Sequence, residues 1–355
     1  MERLNCQLVK ELAKTFSVKM IAPKGAATYT PSGVAVREIP LKPLQRFLLG
    51  AAWAAVSEAR AFQPQIILAG SGLTAPLAFL AARACRARAG AYVHGLDVVV
   101  PHPVYRALWL PALRYMDRVI ANSSPTAQLV HGMGVAAERI AIVHPGVDIP
   151  ESDATACARF RQRWQLSPHA PVLLSVGRLT ARKGLREFVQ EVLPRIVSAR
   201  PDVVLVIVGD VPRQALYAQA QTPQSILEAA RSAGVAANVR WLGVLFGQDL
   251  ADAYFGADLH VFPVREIPCD PEGFGMVAVE AAAHGLATVA YATGGVIDAV
   301  ANGESGKLVK AGDAEAFART VLALLHAPLA AERCRAFAKR FAWPNFGEQI
   351  EKALR

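Results

Sequence analysis

The 355-residue chain reads as an α/β protein made of two doubly wound, mostly parallel domains. Three observations predict this. Apolar strand-like runs alternate with helical periodicities along nearly the whole chain, the pattern of a parallel sheet with crossover helices. The alternation breaks once, near Asp148–Arg163, where the sequence turns polar and charged. The composition is 53% hydrophobic and 19% charged, which supplies two cores at a length that suits two domains. The expected domains are residues 1–150 and 151–340, facing across a cleft where such sheets bind ligands.

The elements follow in order. ERLNCQLVKELAKTF carries Leu4, Leu8 and Leu12 on one helical face, and SVKMIAP reads as a strand. An α/β domain that opens on a helix lacks the strand that should feed it. GVAVREIP is β-like, Leu41–Phe62 helical, QIILAG a buried strand, and Leu73–Arg88 a helix. GAYVHG is a strand, Pro103–Tyr115 helical, DRVIANS a strand and turn, Pro125–Met133 a helix, and RIAIVHPGVD a strand and turn. In the second half PVLLSVG leads through RLTARKG into one helix, LREFVQEVLPRIVSA. VVLVIVGD, VRWLG and ADLHVFPV are strands, with helices at Ser225–Ala233 and Gln248–Phe255 between them. Helices at Ala314–Leu325 and Leu329–Phe341 precede the last segment, WPNFGEQIEKAL.

Charge is uneven. Residues 1–150 hold 16 Lys and Arg against 8 Asp and Glu, a net +8 of the chain's +9. An anionic partner there, such as a phospholipid surface or phosphorylated lipid, fits this better than nucleic acid, since no nucleic-acid motif accompanies the charge. Five scattered cysteines without a C-x-x-C suit a reducing, cytoplasmic compartment rather than a disulfide framework or zinc site. No apolar run approaches the ~20 residues of a membrane span, and no signal peptide is visible at Met1.

The most informative stretch is Pro263–Gly295. Glu272 and Glu280 are eight positions apart around the turn Gly273-Phe274-Gly275, followed by the strand LATVAYA and the pair Gly294-Gly295. With Glu272 just before a helix and Glu280 two turns in, the spacing puts both carboxylates on one face, beside free N–H groups. An ionised carboxylate accepts hydrogen bonds, and a polyol donates them. Upstream, Arg178 and Lys183 flank a strand-to-helix turn, SVGRLTARKG, which suits a diphosphate. It is not a Walker sequence. Gly70-Ser-Gly72-Leu-Thr-Ala75 imitates a dinucleotide fingerprint, but the next strand ends in His94 rather than in an acidic residue, so a tight turn is the better reading. His94 ends a strand where α/β sites form. The other histidines lack metal-ligand pairing, so no metal is expected.

These residues resemble the retaining glycosyltransferases of family four. The E-x7-E motif stands as Glu272-Gly-Phe-Gly-Met-Val-Ala-Val-Glu280, the Gly-Arg and Lys-Gly pairs as Gly177-Arg178 and Lys183-Gly184, and the late glycine turn as Thr293-Gly294-Gly295. The resemblance implies the GT-B fold of two Rossmann-like domains, with residues 341–355 as a terminal helix packing back toward the first domain. It implies that Arg178 and Lys183 hold the donor diphosphate, and that Glu280 binds the ribose. Glu272 with the N–H groups of Phe274, Gly275 and Met276 would hold the transferred sugar. Gly294 and Gly295 would admit the phosphates, and His94 would touch the sugar near the reacting centre. The implied activity is metal-independent transfer of a hexose from a UDP- or GDP-sugar to a lipid-linked or polysaccharide acceptor in cell-envelope glycan synthesis. The nucleotide sugar is then a substrate rather than a cofactor, and the enzyme would be cytoplasmic or peripheral on the inner membrane face. The loop VREIPCDPEGFGMV is similar to that of phosphatidylinositol mannosyltransferases and related bacterial enzymes. Family members begin with a strand and a Gly-Gly loop before a helix reading like MERLN, so the first strand and that loop are expected to be absent, through an upstream start or a truncation. Two alternatives stay open: a nucleotide-sugar epimerase of the same fold, and a non-catalytic or impaired nucleotide-sugar-binding protein.

Overall fold

The computed structural model describes residues 2–211 and 220–355. It divides into two units, Met1–Gly146 with Trp343–Arg355, and Val147–Ala342. All named strand pairs are parallel, the α/β class expected from the sequence.

The first unit opens on helix α1, Glu2–Leu12, whose Leu4 and Leu8 are buried as their spacing requires. Six strands follow: β1 (Lys19–Pro23), β2 (Ala35–Ile39), β3 (Ile66–Ala69), β4 (Arg88–Val93), β5 (Arg118–Ala121) and β6 (Ile140–Ile142). They do not form one doubly wound sheet. β1 pairs with β2 in a two-stranded sheet, and β3-β4-β5-β6 form a second sheet. Burial follows this division. β4 and β5 are buried except at their first residues, whereas β3 buries only Ala69 and β1 only Ala22. Among the described strands, β1 and β3 are each paired on one side.

Helix α2, Leu44–Phe62, packs Phe47, Ala51 and Ala54 with Ile39 of β2 and with Leu77 of helix α3, Ala75–Cys85. The helix expected over Pro103–Tyr115 is instead a π turn, Tyr105–Trp109, running into a 3-10 segment, Leu110–Tyr115. Pro111 lies inside it and cannot donate an N–H to a regular helix. The closing helix, Trp343–Leu354, buries Trp343, Phe346 and Ile350. A Cβ on Gly146 would stand 2.3 Å from the Trp343 ring, so only glycine fits there.

The second unit holds a six-stranded sheet ordered β12-β11-β10-β7-β8-β9. The strands are β7 (Val172–Val176), β8 (Val204–Val208), β9 (Val239–Trp241), β10 (Leu259–Phe262), β11 (Thr288–Tyr291) and β12 (Gly306–Val309). The apolar runs are buried on both faces, as a covered parallel sheet demands. β12 was not expected, because GKLV places Lys307 inside a four-residue run and shows no alternation. The single helix expected over 185–199 is interrupted by a π turn at Phe188–Val192. Pro194 follows immediately and denies Gln190 its helical donor. The chain runs β7→β8→β9 toward one edge and β10→β11→β12 toward the other. The strand order therefore reverses between β7 and β10, the place where open α/β sheets build ligand sites.

Candidate functional site

The loops that leave β7 and β10 carry the charges. After β7 the chain turns through Gly177, Arg178 and Thr180 into a 3-10 turn, Ala181–Lys183. After β10 it runs from Pro263 to Gly275, and the helix Met276–Ala283 then begins. Gly184, at φ +67°, is what lets these loops touch: a Cβ there would lie 2.1 Å from the Pro263 carbonyl. Arg265 N donates to Arg182 O at 2.8 Å and joins them.

A buried ion cluster sits on this junction. Lys183 Nζ donates to Glu272 Oε2 at 2.8 Å, and Arg182 Nε donates to the same oxygen at 3.1 Å. Arg182 Nη1 also bonds Asp270 Oδ1. Lys183 Nζ lies 4.5 Å from the centre of the Phe262 ring. Burial alone would raise the Glu272 carboxyl, but the Lys183 and Arg182 charges outweigh it and hold it below its ordinary value. Burial pushes the Lys183 ammonium down, with Glu272 opposing. We take the pair as ionised, since each charge has its counter-charge at hydrogen-bond distance. Arg178 is exposed and adds its positive charge to the field at both groups.

The two glutamates are not helical neighbours. The helix starts at Met276, so Glu272 stands in the loop and the eight-residue offset has no helical meaning. Gly275, at φ +98°, is the residue that stops the helix from extending back. Glu280 has a different partner: its Oε2 accepts from the Tyr254 hydroxyl at 3.2 Å. His284 stacks on Tyr254 with ring centres 4.8 Å apart, and its Nδ1 is 2.7 Å from Glu280 O. Phe274 is buried and tilts against Phe341.

Gly294 and Gly295 hold the third loop, after β11, against the Glu272 segment. Gly295 N donates to Glu272 O at 2.8 Å. A Cβ on Gly295 would stand 2.1 Å from Gly273 O, and one on Gly294 2.7 Å from Glu272 O. Gly295→Ala is therefore expected to push the two loops apart, destabilising the unit by about 1–3 kcal/mol. Denaturant melts and a donor-dependent transfer assay check this. Wild-type behaviour in both would mean that the loops tolerate separation.

His94 belongs to the other unit. Its Nε2 is 2.8 Å from Gly70 O. A carbonyl only accepts, so Nε2 carries the proton and Nδ1 the lone pair. Burial lowers its pKa and keeps the ring neutral. Asp97 braces the same turn, accepting from His94 N and Gly72 N at 2.8 Å each. The Gly72 N–H of the G-x-G turn is thus taken by a carboxylate and is not open to a phosphate.

Arg182, Asp270, Tyr254 and Asp97 were missed as contributors from sequence. Among the described residues, no group of three or more His, Cys, Asp or Glu side chains could hold a metal ion.

Comparison with known proteins gives two adjoining family matches. Residues 1–151 match the model described as Glycosyltransferase Family 4, and residues 170–327 that described as Glycosyl transferases group 1. A D-inositol 3-phosphate glycosyltransferase of Catenulispora acidiphila is 36% identical over 235 residues, 64% of this chain and 53% of that protein. One from Streptosporangium roseum is 32% identical over 233 residues, 64% and 52%. The chain thus spans about half the length of the curated relatives it matches. In structure, Anabaena HepE in complex with UDP is similar at a TM-score of 0.79 and 18% identity, covering 96% of this chain and 99% of that one. A glycosyltransferase from Rickettsia africae reaches 0.80 at 19%, covering 99% and 93%. At such identities the likeness speaks for the fold.

Proposed function

The chain belongs to the family-four glycosyltransferases of GT-B fold, and from that premise we propose that it is a retaining, metal-independent hexosyltransferase. Its donor is a nucleotide-diphosphate sugar and its acceptor a lipid-linked or polysaccharide glycan of the cell envelope. The observation that carries this reading is the cluster of Lys183, Arg182 and Glu272 at the strand-order reversal.

The chemistry follows from charge. Breaking a glycosyl–phosphate bond builds negative charge on the departing diphosphate. Lys183, held on Glu272, supplies a preorganised cation for it, which is an effective catalyst, and the exposed Arg178 adds a second positive charge. The N-terminus of Met276–Ala283 adds its first-turn N–H groups and dipole. Glu272 orients the sugar hydroxyls. Glu280, braced by Tyr254, takes the ribose.

Retention by a double displacement would need a carboxylate free to attack the anomeric carbon. Glu272 Oε2 is already shared by two cations, which makes it a poor nucleophile. Transfer therefore proceeds on one face of the sugar, with the leaving phosphate taking the acceptor proton. His94 offers Nδ1 as an acceptor for a hydroxyl. The solved relative was crystallised with UDP and with UDP-glucose, so UDP-sugars come first among donors. The alternatives are the epimerase and the non-catalytic binding protein.

The test is a thermal-shift screen of UDP- and GDP-sugars, followed by product analysis. A donor at 100 times its Kd should stabilise the protein by about 2.7 kcal/mol. The product should keep the donor's anomeric configuration. Donor binding with epimerised nucleotide sugar, or with no transfer to any glycolipid or polysaccharide acceptor, supports the alternatives. No shift with any nucleotide sugar overturns the donor assignment.

A further inference from the structure

We infer that Tyr254 is a positioning residue that sets the preference for ribose over deoxyribose in the donor, by holding the Glu280 carboxylate in one orientation. This rests on the ribose contact proposed above for Glu280 and adds what fixes that contact. Glu280 is half-buried, one turn into the helix Met276–Ala283. A glutamate side chain has several rotatable bonds, and few of their settings present the carboxylate squarely to a vicinal diol. Its own helix does nothing to choose among them.

Tyr254 makes that choice from a second helix, Gly247–Gly256. Its hydroxyl donates to Glu280 Oε2 at 3.2 Å, which occupies one of the carboxylate's roughly four lone-pair positions. The tyrosine is itself fixed, at 2% exposure. Its ring stacks on His284, with centres 4.8 Å apart and planes 26° apart, and meets His260 edge-on. His284 Nδ1 is 2.7 Å from Glu280 O. A carbonyl only accepts, so Nδ1 donates and pins the main chain of the residue whose carboxylate Tyr254 holds. Phe255 meets the His284 ring edge-on, and Arg335 Nη2 donates to His284 O at 3.4 Å. The helix that carries Tyr254 is anchored in turn through Asp252, which accepts from Arg159 Nε at 2.8 Å and from Arg159 Nη2 at 2.5 Å.

Glu280 is therefore held at both ends before any ligand arrives. Preorganisation of this kind has a known size. Ordering one flexible side chain on binding costs about two- to tenfold in affinity. A hydroxyl bonded to a charged acceptor gains about 10–100-fold. A nucleotide with the diol collects both contributions. One without it collects neither, so Tyr254 acts on the discrimination between the two and not on nucleotide binding in general.

The experiment is calorimetric titration of the full chain with UDP and with 2′,3′-dideoxy-UDP, with the matching guanosine pair run alongside. Wild type should prefer the ribonucleotide by about 10–100-fold. Tyr254→Phe keeps the ring and removes only the hydroxyl. It should weaken the ribonucleotide about two- to tenfold and bind the dideoxynucleotide as wild type does. His284→Asn keeps a donor where Nδ1 stands and removes the stacking ring. It should shift the same ratio in the same direction by a smaller factor, and it carries the test if Tyr254→Phe does not fold. With Glu280→Ala already in place, adding Tyr254→Phe should change neither affinity. A tyrosine with a merely structural role would weaken both nucleotides by one factor, and that result overturns the inference. So does a Tyr254→Phe protein that keeps the wild-type ratio. If wild type binds both nucleotides equally, the ribose contact of Glu280 falls and the role of Tyr254 with it. If wild type binds no diphosphate nucleotide at all, the donor assignment itself has failed, which separates that failure from the others.

Discussion

Lys183→Met should lower sugar transfer by about 10²–10³-fold, the effect of removing one preorganised stabiliser of developing charge. The ammonium is buried, 2.8 Å from Glu272 Oε2 and above the Phe262 ring. A charge in that position needs little reorganisation when the diphosphate leaves. Methionine keeps most of the volume and removes only the charge. Arg182 still bonds Glu272 in the variant, so the loop stays anchored. The loss should therefore appear in kcat at saturating donor, with the melting temperature close to wild type. A variant whose kcat lies within threefold of wild type would remove Lys183 from the chemistry.

Arg182→Met should act differently, through stability as well as turnover. Asp270 and Glu272 both depend on this guanidinium, and Arg182 and Asp270 are both buried. Removing one partner of a buried ion pair costs about 3–5 kcal/mol, because the other charge is left without compensation. For a unit of this size that is a drop in melting temperature on the order of 10 °C. Adding Asp270→Asn should recover part of the loss, since the orphaned charge is then gone. Calorimetry of the single and double variants reads this directly. A single variant that melts within 2 °C of wild type, on the scale above, would mean that water or Lys183 already compensates the acids.

The contrast between these lysine and arginine neighbours shows where the sequence speaks and where it is silent. Lys183 stood out because a spaced basic pair at a strand-to-helix turn suggests an anion. Arg182, one residue earlier, looked like part of the same charged turn. Its importance depends on Asp270, 88 positions away, which only the meeting of the β7 and β10 loops brings to it. The glutamates were legible as a pair but not in their geometry. A helix beginning at Met276 rather than beside Glu272 undoes the shared-face argument, and the reason is the left-handed Gly275. The strands were legible wherever apolar runs were buried on both faces. β12 was not, because its pairing with β11 compensates for a weak local pattern. The helical breaks at Phe188–Val192 and Tyr105–Trp109 precede Pro194 and Pro111, each of which removes one N–H from the helical ladder.

The divided sheet of the first unit has a consequence for how the protein behaves in bulk. Six described strands in two sheets present four strand edges, whereas the six strands of the second unit present two. Each edge is a row of peptide groups able to accept a strand from another molecule. β3 and β6, half-buried to exposed and without a charged residue, are the edges least protected by charge. Self-association at high concentration, if it limits handling, therefore has its origin in the first unit's backbone and is countered there, by a lysine or proline on an edge position, rather than by redesign of the surface at large.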